Sequence, residues 1–545
     1  MSVFHRRLFL LMLLIIPLPL LQLNCSGKSS GHGDTSEEGT AETGPDPLFE
    51  QQWHLQNTGQ NGGTSGEDIN AVPAWDAGYR GSGLVAMIID DGMEIAHADL
   101  RANISSNYTH NYKNNSNDPT SAESHHGTAV AGVIAARDLN SIGVRGVAPK
   151  ATLGGNNLLL IQTSANTYDA LTRHAHMVTV SNNSWGADDG YGDFTAPESI
   201  HQEALLVGVN NGRSGKGIIY VWSAGNGGDL RGQDNANYDG YTVSPYIMTI
   251  CSVNKHGQSA TYSEPGANLW VCSPSLGARS ESSGIVTTDM SGGGQGYNTT
   301  STTNDLSNKD YTKLFNGTSA SAPIVAGAAL LIVEANPTLT WRDVKAIIAR
   351  TARKNDPSNS GWFINGAGHL YHHSYGFGVI DTKAAIDLAK SWSNLGAMVG
   401  GSSGVSFPSS GQQSVNTAIP DAPADASTGI VSSTITVSGS GISKLEFVLI
   451  EVTINHSNWG NLDISLVRSS GGYVTSSQLA NPHSCYKRTG LLSTCSLSSL
   501  NYTWSFGSSH FFEEAADGNW VLKVKDRTSG TSGTVSGWKL TFFGS

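Results

Sequence analysis

The sequence predicts an α/β domain built on a doubly wound parallel sheet, followed by an all-β sandwich. Three observations carry that prediction. From Asp46 to about residue 393, short and nearly continuous apolar runs ending in Gly, Asn or Asp alternate with helical patterns, as strands buried on both faces of a parallel sheet do. Beyond a Gly/Ser-rich stretch, the pattern changes to period-two runs broken by turn residues about every ten positions. With 545 residues and 38% apolar content, the chain is long enough for two or more cores.

Taken in order, Arg6 and Arg7 precede an apolar stretch from Leu8 to Leu23. It reads as an export signal, because its prolines and short length suit a stable membrane span poorly. Cys25 follows directly and resembles the modified cysteine of a bacterial lipoprotein signal, although Asn24 stands where a small residue is usual. The alternative is an ordinary cleaved signal. Residues 1–25 are thus the signal and 26–45 a polar linker. The α/β domain spans 46–395, with strands expected in "GLVAMIIDDG", "HMVTVSNNSWG", "GIIYVWSAGN" and "YIMTICSV" and helices in "HGTAVAGVIAARD" and "LTWRDVKAIIARTAR". Residues 396–414 read as a linker or loose first strand, and 415–545 as the sandwich, from runs such as "KLEFVLIEVTI" and "NWVLKVKD".

A net charge of −12 argues against nucleic acid as a partner. Setting Cys25 aside leaves four cysteines, an even number suited to an oxidising compartment. Cys485 and Cys495 close a short loop and are expected to pair. Cys251 and Cys272 are either bridged or buried free thiols.

Three motifs bear chemistry. "AMIIDDG" ends an apolar strand at Asp90, "SHHGTAVAG" opens a helix after His126, and "FNGTSASAP" puts Ser319 at the mouth of a buried helix. A helix N-terminus favours developing negative charge. An acid, an imidazole and a hydroxyl at strand ends and helix starts are the parts of a nucleophilic triad. In this order, Asp then His then Ser, the motifs resemble the subtilisin-like serine proteases, and more closely their kexin/furin branch. The resemblance covers about 46–393, with 415–545 similar to the P domain, a jelly-roll-like sandwich, that follows in that branch.

The resemblance implies roles. Ser319 is the nucleophile, His126 its general base, and Asp90 the group that orients the imidazole. Asn226 in "WSAGNGG" donates to the oxyanion. His125 is left as a pocket-wall residue. Ser184, Trp185 and Gly186 pair with substrate as an added strand. Asp188 and Asp239 form the floor of a pocket for Arg or Lys, and Asp91 and Glu123 line the neighbouring pocket for a second basic residue. Asp188, Asp234 and Glu264 bind one Ca²⁺, which relieves repulsion among close carboxylates; Asp46, Asp99 and Asn140 bind another.

The implied function is a secreted or surface-anchored, calcium-dependent serine endopeptidase, monomeric, acting on protein or peptide substrates after basic residues. Membrane attachment would run through a lipidated Cys25. Two alternatives stand beside it: a broad-specificity subtilase, and a surface binding protein that keeps the fold without turnover. Two departures from the branch's pattern are visible. Only residues 26–45 separate Cys25 from the domain, short for an inhibitory prosegment. One residue fewer than usual lies between Trp185-Gly186 and the Asp-Asp-Gly that follows.

Overall fold

The computed structural model describes residues 44–422, 428–470, 473–495 and 501–545; the signal and Cys25 lie outside them. The α/β domain is a seven-stranded, wholly parallel sheet of β1 (Val85–Ile89), β2 (Ile104–His110), β3 (Thr152–Asn156), β4 (Val178–Asn183), β5 (Ile219–Ser223), β6 (Ile247–Val253) and β7 (Leu269–Pro274), in the order 2-3-1-4-5-6-7. All five residues of β1 and all seven of β6 are buried, which is why these runs are continuously apolar rather than alternating. Cys251 and Cys272 are register partners on β6 and β7 and are disulfide-bonded, so of the two readings the bridge holds.

The helices are α1 (Ala71–Asp76), α2 (His125–Ala135), α3 (Ser164–Thr172), α4 (Ser199–Asn211), α5 (Thr318–Ala335), α6 (Trp341–Thr351) and α7 (Thr382–Lys390). Among the described residues α5 is the one helix long and apolar enough to cross a membrane, but it is the core helix of this domain, packed along α2 and β4 to β7. It contains Pro323 in its second turn. A proline there lacks the N–H that would bond the carbonyl four residues earlier. That carbonyl belongs to Ser319, and the Ser184 hydroxyl donates to it instead, at 3.1 Å. The residue that disrupts the helix therefore ties it to the end of β4.

The C-terminal sandwich has two antiparallel sheets. One orders Val405–Phe407, Gly533–Gly544, Leu445–His456 and Tyr502–Ser508, with Gln413–Ile419 also on Gly533–Gly544. The other orders Val431–Val437, Gly518–Asp526, Leu462–Ser470 and Tyr473–Ala480. The Gly/Ser-rich stretch is thus not a plain linker: Val405–Phe407 pairs with Leu540–Phe542, so the sandwich begins before residue 415. Backbone pairing, with Val405 and Phe407 packed partly buried against the sandwich core, holds this strand, which the Gly/Ser-rich composition around it conceals. Trp520 and Trp538 are fully buried, core residues as their period-two positions suggest. Phe194 of the α/β domain packs against Trp459, Trp504 and Phe506 of the sandwich, joining the two cores.

Candidate active site

The carboxyl ends of neighbouring strands supply most of the site, where open α/β sheets bind ligands. Asp90 follows β1, Ser184 follows β4 and Asn226 lies just beyond β5. Two helix starts supply the rest, His126 on α2 and Ser319 on α5.

Asp90 is fully buried, and its Oδ1 lies 2.8 Å from His126 Nδ1. Burial lowers the imidazole pKa, but the charge and hydrogen bond of Asp90, with Asp91 adding to them, outweigh it and raise the pKa above the usual range. The pair leaves Nε2 as the ring atom for a substrate-side proton. Ser319 does not face it: its hydroxyl donates to the Ser184 carbonyl at 3.2 Å. Reaching the imidazole requires a turn about the Ser319 side-chain bond. Such links are often loose before substrate binds.

Asn226 is held from both sides. Its Oδ1 accepts from the Thr318 N–H at 2.7 Å and from the Thr318 hydroxyl at 3.0 Å, which commits its NH₂ to the opposite direction. Its own N–H donates to Asp189 Oδ1 at 2.9 Å. Thr318 therefore positions Asn226, a role the Gly-Thr-Ser motif contains but spacing alone does not expose. Gly225 before it has φ +106°, and a Cβ there would meet Glu264 Oε1 at 2.3 Å. Only glycine allows that carboxylate so close.

Below this line lies a cavity bordered by Ser319, Asn226, Trp185, Asp189, Asp239 and Glu264 among others. Asp239 is buried and accepts from the Ala187 and Tyr241 N–H groups at 3.0 and 2.8 Å. Its Oδ2 occupies space that a Cβ on Gly186 would enter. Burial pushes Asp239 up to about 6, and Asp189 and Asp234 add to the rise. The β domain braces this loop: Asn237 exchanges hydrogen bonds with the Gly507 backbone at 2.7 and 3.1 Å, and Trp504 Nε1 donates to the Asn237 carbonyl at 2.9 Å. Nothing in the sequence of either segment announces that pairing.

The acids partition differently from expectation. Asp189, Asp234 and Glu264 bring carboxylate oxygens within 4.8 Å of one another, whereas Asp188 is exposed and pairs with Arg488 of the sandwich. This corrects the assignment of Asp188 to the metal set. The second aspartate of the pair, not the first, lies over the cluster. Burial and mutual repulsion push Asp234 up to about 6 and Glu264 well above the carboxylate range. Arginines nearby serve other acids, Arg279 pairing with Asp229 and Arg488 with Asp188. Three crowded carboxylates of this kind fit a hard, oxygen-preferring cation.

Asp46, Asp99 and Asn140 also meet, but with partners already in place. Asp46 pairs with Arg145 at 2.9 Å and accepts from the Asn140 N–H at 3.2 Å. Asp99 accepts from the Asn140 amide at 2.7 Å and from the Val144 N–H at 2.9 Å, and burial raises it to about 7. A cation here would require the Asn140 amide to turn over.

Asp91 accepts from the N–H groups of His126 and Gly127 at 3.2 and 2.8 Å. It caps α2 from outside its own chain segment, an engagement its expected place in a substrate pocket did not anticipate. Burial, then repulsion from Asp90, raises it to about 7. Glu123 is exposed in the turn before α2, and His125 packs edge-on to Tyr297 at 5.1 Å.

The Subtilase family model matches residues 81–378, and the proprotein convertase P-domain model matches 445–542. The PC3-like endoprotease variant B of Hydra vulgaris is 35% identical over 88% of this chain and 63% of its own length. Human furin is 32% identical over 92% of this chain and 58% of its own. The chain thus spans about three fifths of these relatives. Among solved structures, the serine protease of Aeromonas sobria matches with a TM-score of 0.79 at 27% identity, covering 96% of this chain and 99% of that one. The chain belongs to the subtilase family, its peptidase domain followed by a proprotein convertase P-domain.

Proposed function

We propose that this protein is an exported, calcium-dependent serine endopeptidase that cleaves peptide bonds after basic residues. The observation that carries the reading is the buried Asp90 bonded to His126, with Ser319 and Asn226 at the lip of a cavity floored by Asp239. Ser319 turns from the Ser184 carbonyl, loses its proton to His126 and attacks the substrate carbonyl. His126 then delivers that proton to the departing amine, while Asp90 stabilises the imidazolium and holds its tautomer. The Asn226 NH₂ and the Ser319 N–H stabilise the oxyanion, each donor contributing about 3–4 kcal/mol. Ser184, Trp185 and Gly186 take the substrate backbone as an added strand.

Asp239, with Asp188 and Asp189 on the wall of the same cavity, supplies the acids available to an Arg or Lys side chain, and Asp91 and Glu123 those for a second basic residue. Asp189, Asp234 and Glu264 would hold a Ca²⁺. When bound, it neutralises the acids beneath the pocket and leaves Asp239 ionised. Asp46, Asp99 and Asn140 are candidates for a second ion. Export is supported by the two disulfides and by the apolar N-terminal stretch, and mass spectrometry of the mature terminus tests Cys25 as the lipid attachment point.

Purified protein with Ca²⁺ should release fluorophores from Arg- and Lys-Arg-linked peptides and lose release with Ser319→Ala or EDTA. Preference for Phe or Leu peptides would support a broad-specificity subtilase. No release from any peptide would support a binding protein.

A further inference from the structure

The chain has three adjacent pairs of basic residues: Arg6-Arg7, Arg353-Lys354 and Lys487-Arg488. The first lies outside the described residues. Arg353 is locked in, exchanging backbone hydrogen bonds with Val379 at 2.7 and 2.9 Å and pairing with Glu67. Lys487-Arg488 is placed in the opposite way. Residues 487–492 are all exposed and form the tip of a hairpin whose strands, Cys485–Tyr486 and Leu492–Ser493, are two residues each. The tip is closed by two bonds, Lys487 N–H to the Leu491 carbonyl and Gly490 N–H to the Lys487 carbonyl. Its ties to the body are an Arg488–Asp188 pair, exposed on both sides, the Arg488 guanidinium over the Tyr191 ring at 5.4 Å, and an Arg231 contact to the Gly490 carbonyl at 3.0 Å. Exposed ion pairs of this kind are solvent-screened and open readily, and short exposed tips are where proteolytic nicking concentrates.

We propose that this tip is itself a substrate: a second copy of the chain hydrolyses the Arg488–Thr489 bond. The inference rests on the proposed basic specificity and extends it to a particular sequence. Opened into an extended segment, the tip offers Arg488 to the Asp239-floored cavity of the other molecule and Lys487 to the neighbouring acids. The C–N bond between Arg488 and Thr489 breaks. The hydroxyl of water ends on the Arg488 carboxyl and its proton on the new Thr489 amine. Because Cys485 and Cys495 are bridged across the cut, the fragment 489–545 remains covalently attached.

The test mixes active full-length protein with tagged, full-length Ser319→Ala protein as target, in Ca²⁺, alongside a Lys-Arg fluorogenic peptide. The expected result is a target that migrates intact in denaturing gels without reductant, and that loses fragment 489–545 with reductant, its N-terminus reading Thr-Gly-Leu. A Ser319→Ala/Arg488→Gln target should yield no such fragment. Peptide cleavage with no cut target overturns this inference alone. Absence of both overturns the specificity reading with it. The fragment appearing in the Ser319→Ala protein incubated by itself assigns the cut to another protease and also overturns the inference.

Discussion

Two clusters of crowded oxygen donors deal with the same electrostatic problem differently. Asp189, Asp234 and Glu264 receive hydrogen bonds from backbone N–H groups of Asn226, Gly190, Gly192 and Gly227. Asp46 and Asp99 have acquired side-chain donors, Arg145 for one and Asn140 for the other. Backbone dipoles soften repulsion without cancelling charge, whereas a guanidinium cancels it outright. Under the proposed function the first cluster is the one that takes up an external cation, whereas the second is already held by the chain. The difference also separates function from stability, since the first lies under the candidate nucleophile and the second ties the N-terminal segment to the loop around Asn140.

Glu264→Gln should break that distinction most visibly. We expect a fall of about a hundredfold or more in turnover of Arg peptides and a rightward shift of the Ca²⁺ titration, because one ligand charge and the local field change together. Asp46→Asn should instead leave the partly exposed Arg145 without its carboxylate, costing about 1–3 kcal/mol and lowering the melting temperature, with Ca²⁺ sensitivity of turnover retained. If Asp46→Asn abolished Ca²⁺ sensitivity and Glu264→Gln spared it, the two roles would have to be exchanged.

Asp239→Ala should reduce kcat/KM for Arg peptides by about a hundredfold, with neutral peptides affected much less; equal losses would remove Asp239 from the pocket floor. Thr318→Val deletes the hydroxyl that orients Asn226. About a tenfold loss in kcat with KM unchanged is expected, smaller than loss of the donor itself.

The smallest effect concerns pH. Asp234 and Asp239 titrate near 6 in the folded chain, above the ordinary carboxylate value, so the folded state binds protons that the unfolded chain has released. Stability in EDTA should therefore fall as pH rises from about 5 to 7. Saturating Ca²⁺ should flatten the part due to Asp234 and Glu264. A melting temperature in EDTA that rose over this range would contradict the raised values. Protonation of Asp239 below pH 6 should also erode Arg preference on the acid side.

Strand-end and helix-start motifs picked out Asp90, His126, Asn226 and Ser319 as candidates in the sequence, because each sits in a recognisable local element: a continuous apolar run for Asp90, a Gly-rich turn for Asn226, the start of an apolar helix for Ser319. The parallel sheet and the sandwich were legible for the same reason, through the period of their apolar residues. What local pattern could not supply was which member of a pair faces inward. Asp188 and Asp189 are neighbours of the same chemistry, and only the path of the folded loop places Asp189 with Asp234 and Glu264 and Asp188 against Arg488. Nor does any single segment reveal contacts completed by another: Thr318 on Asn226, Asp91 capping α2, Ser184 filling the carbonyl that Pro323 leaves open, or Asn237 gripped by Trp504 and Gly507. The candidate catalytic positions and the two folds are properties of short stretches, which local physics determines. The identity of the cation-ready cluster and the rotamer of Ser319 depend on distances between stretches far apart in the chain, and only packing in three dimensions decides those.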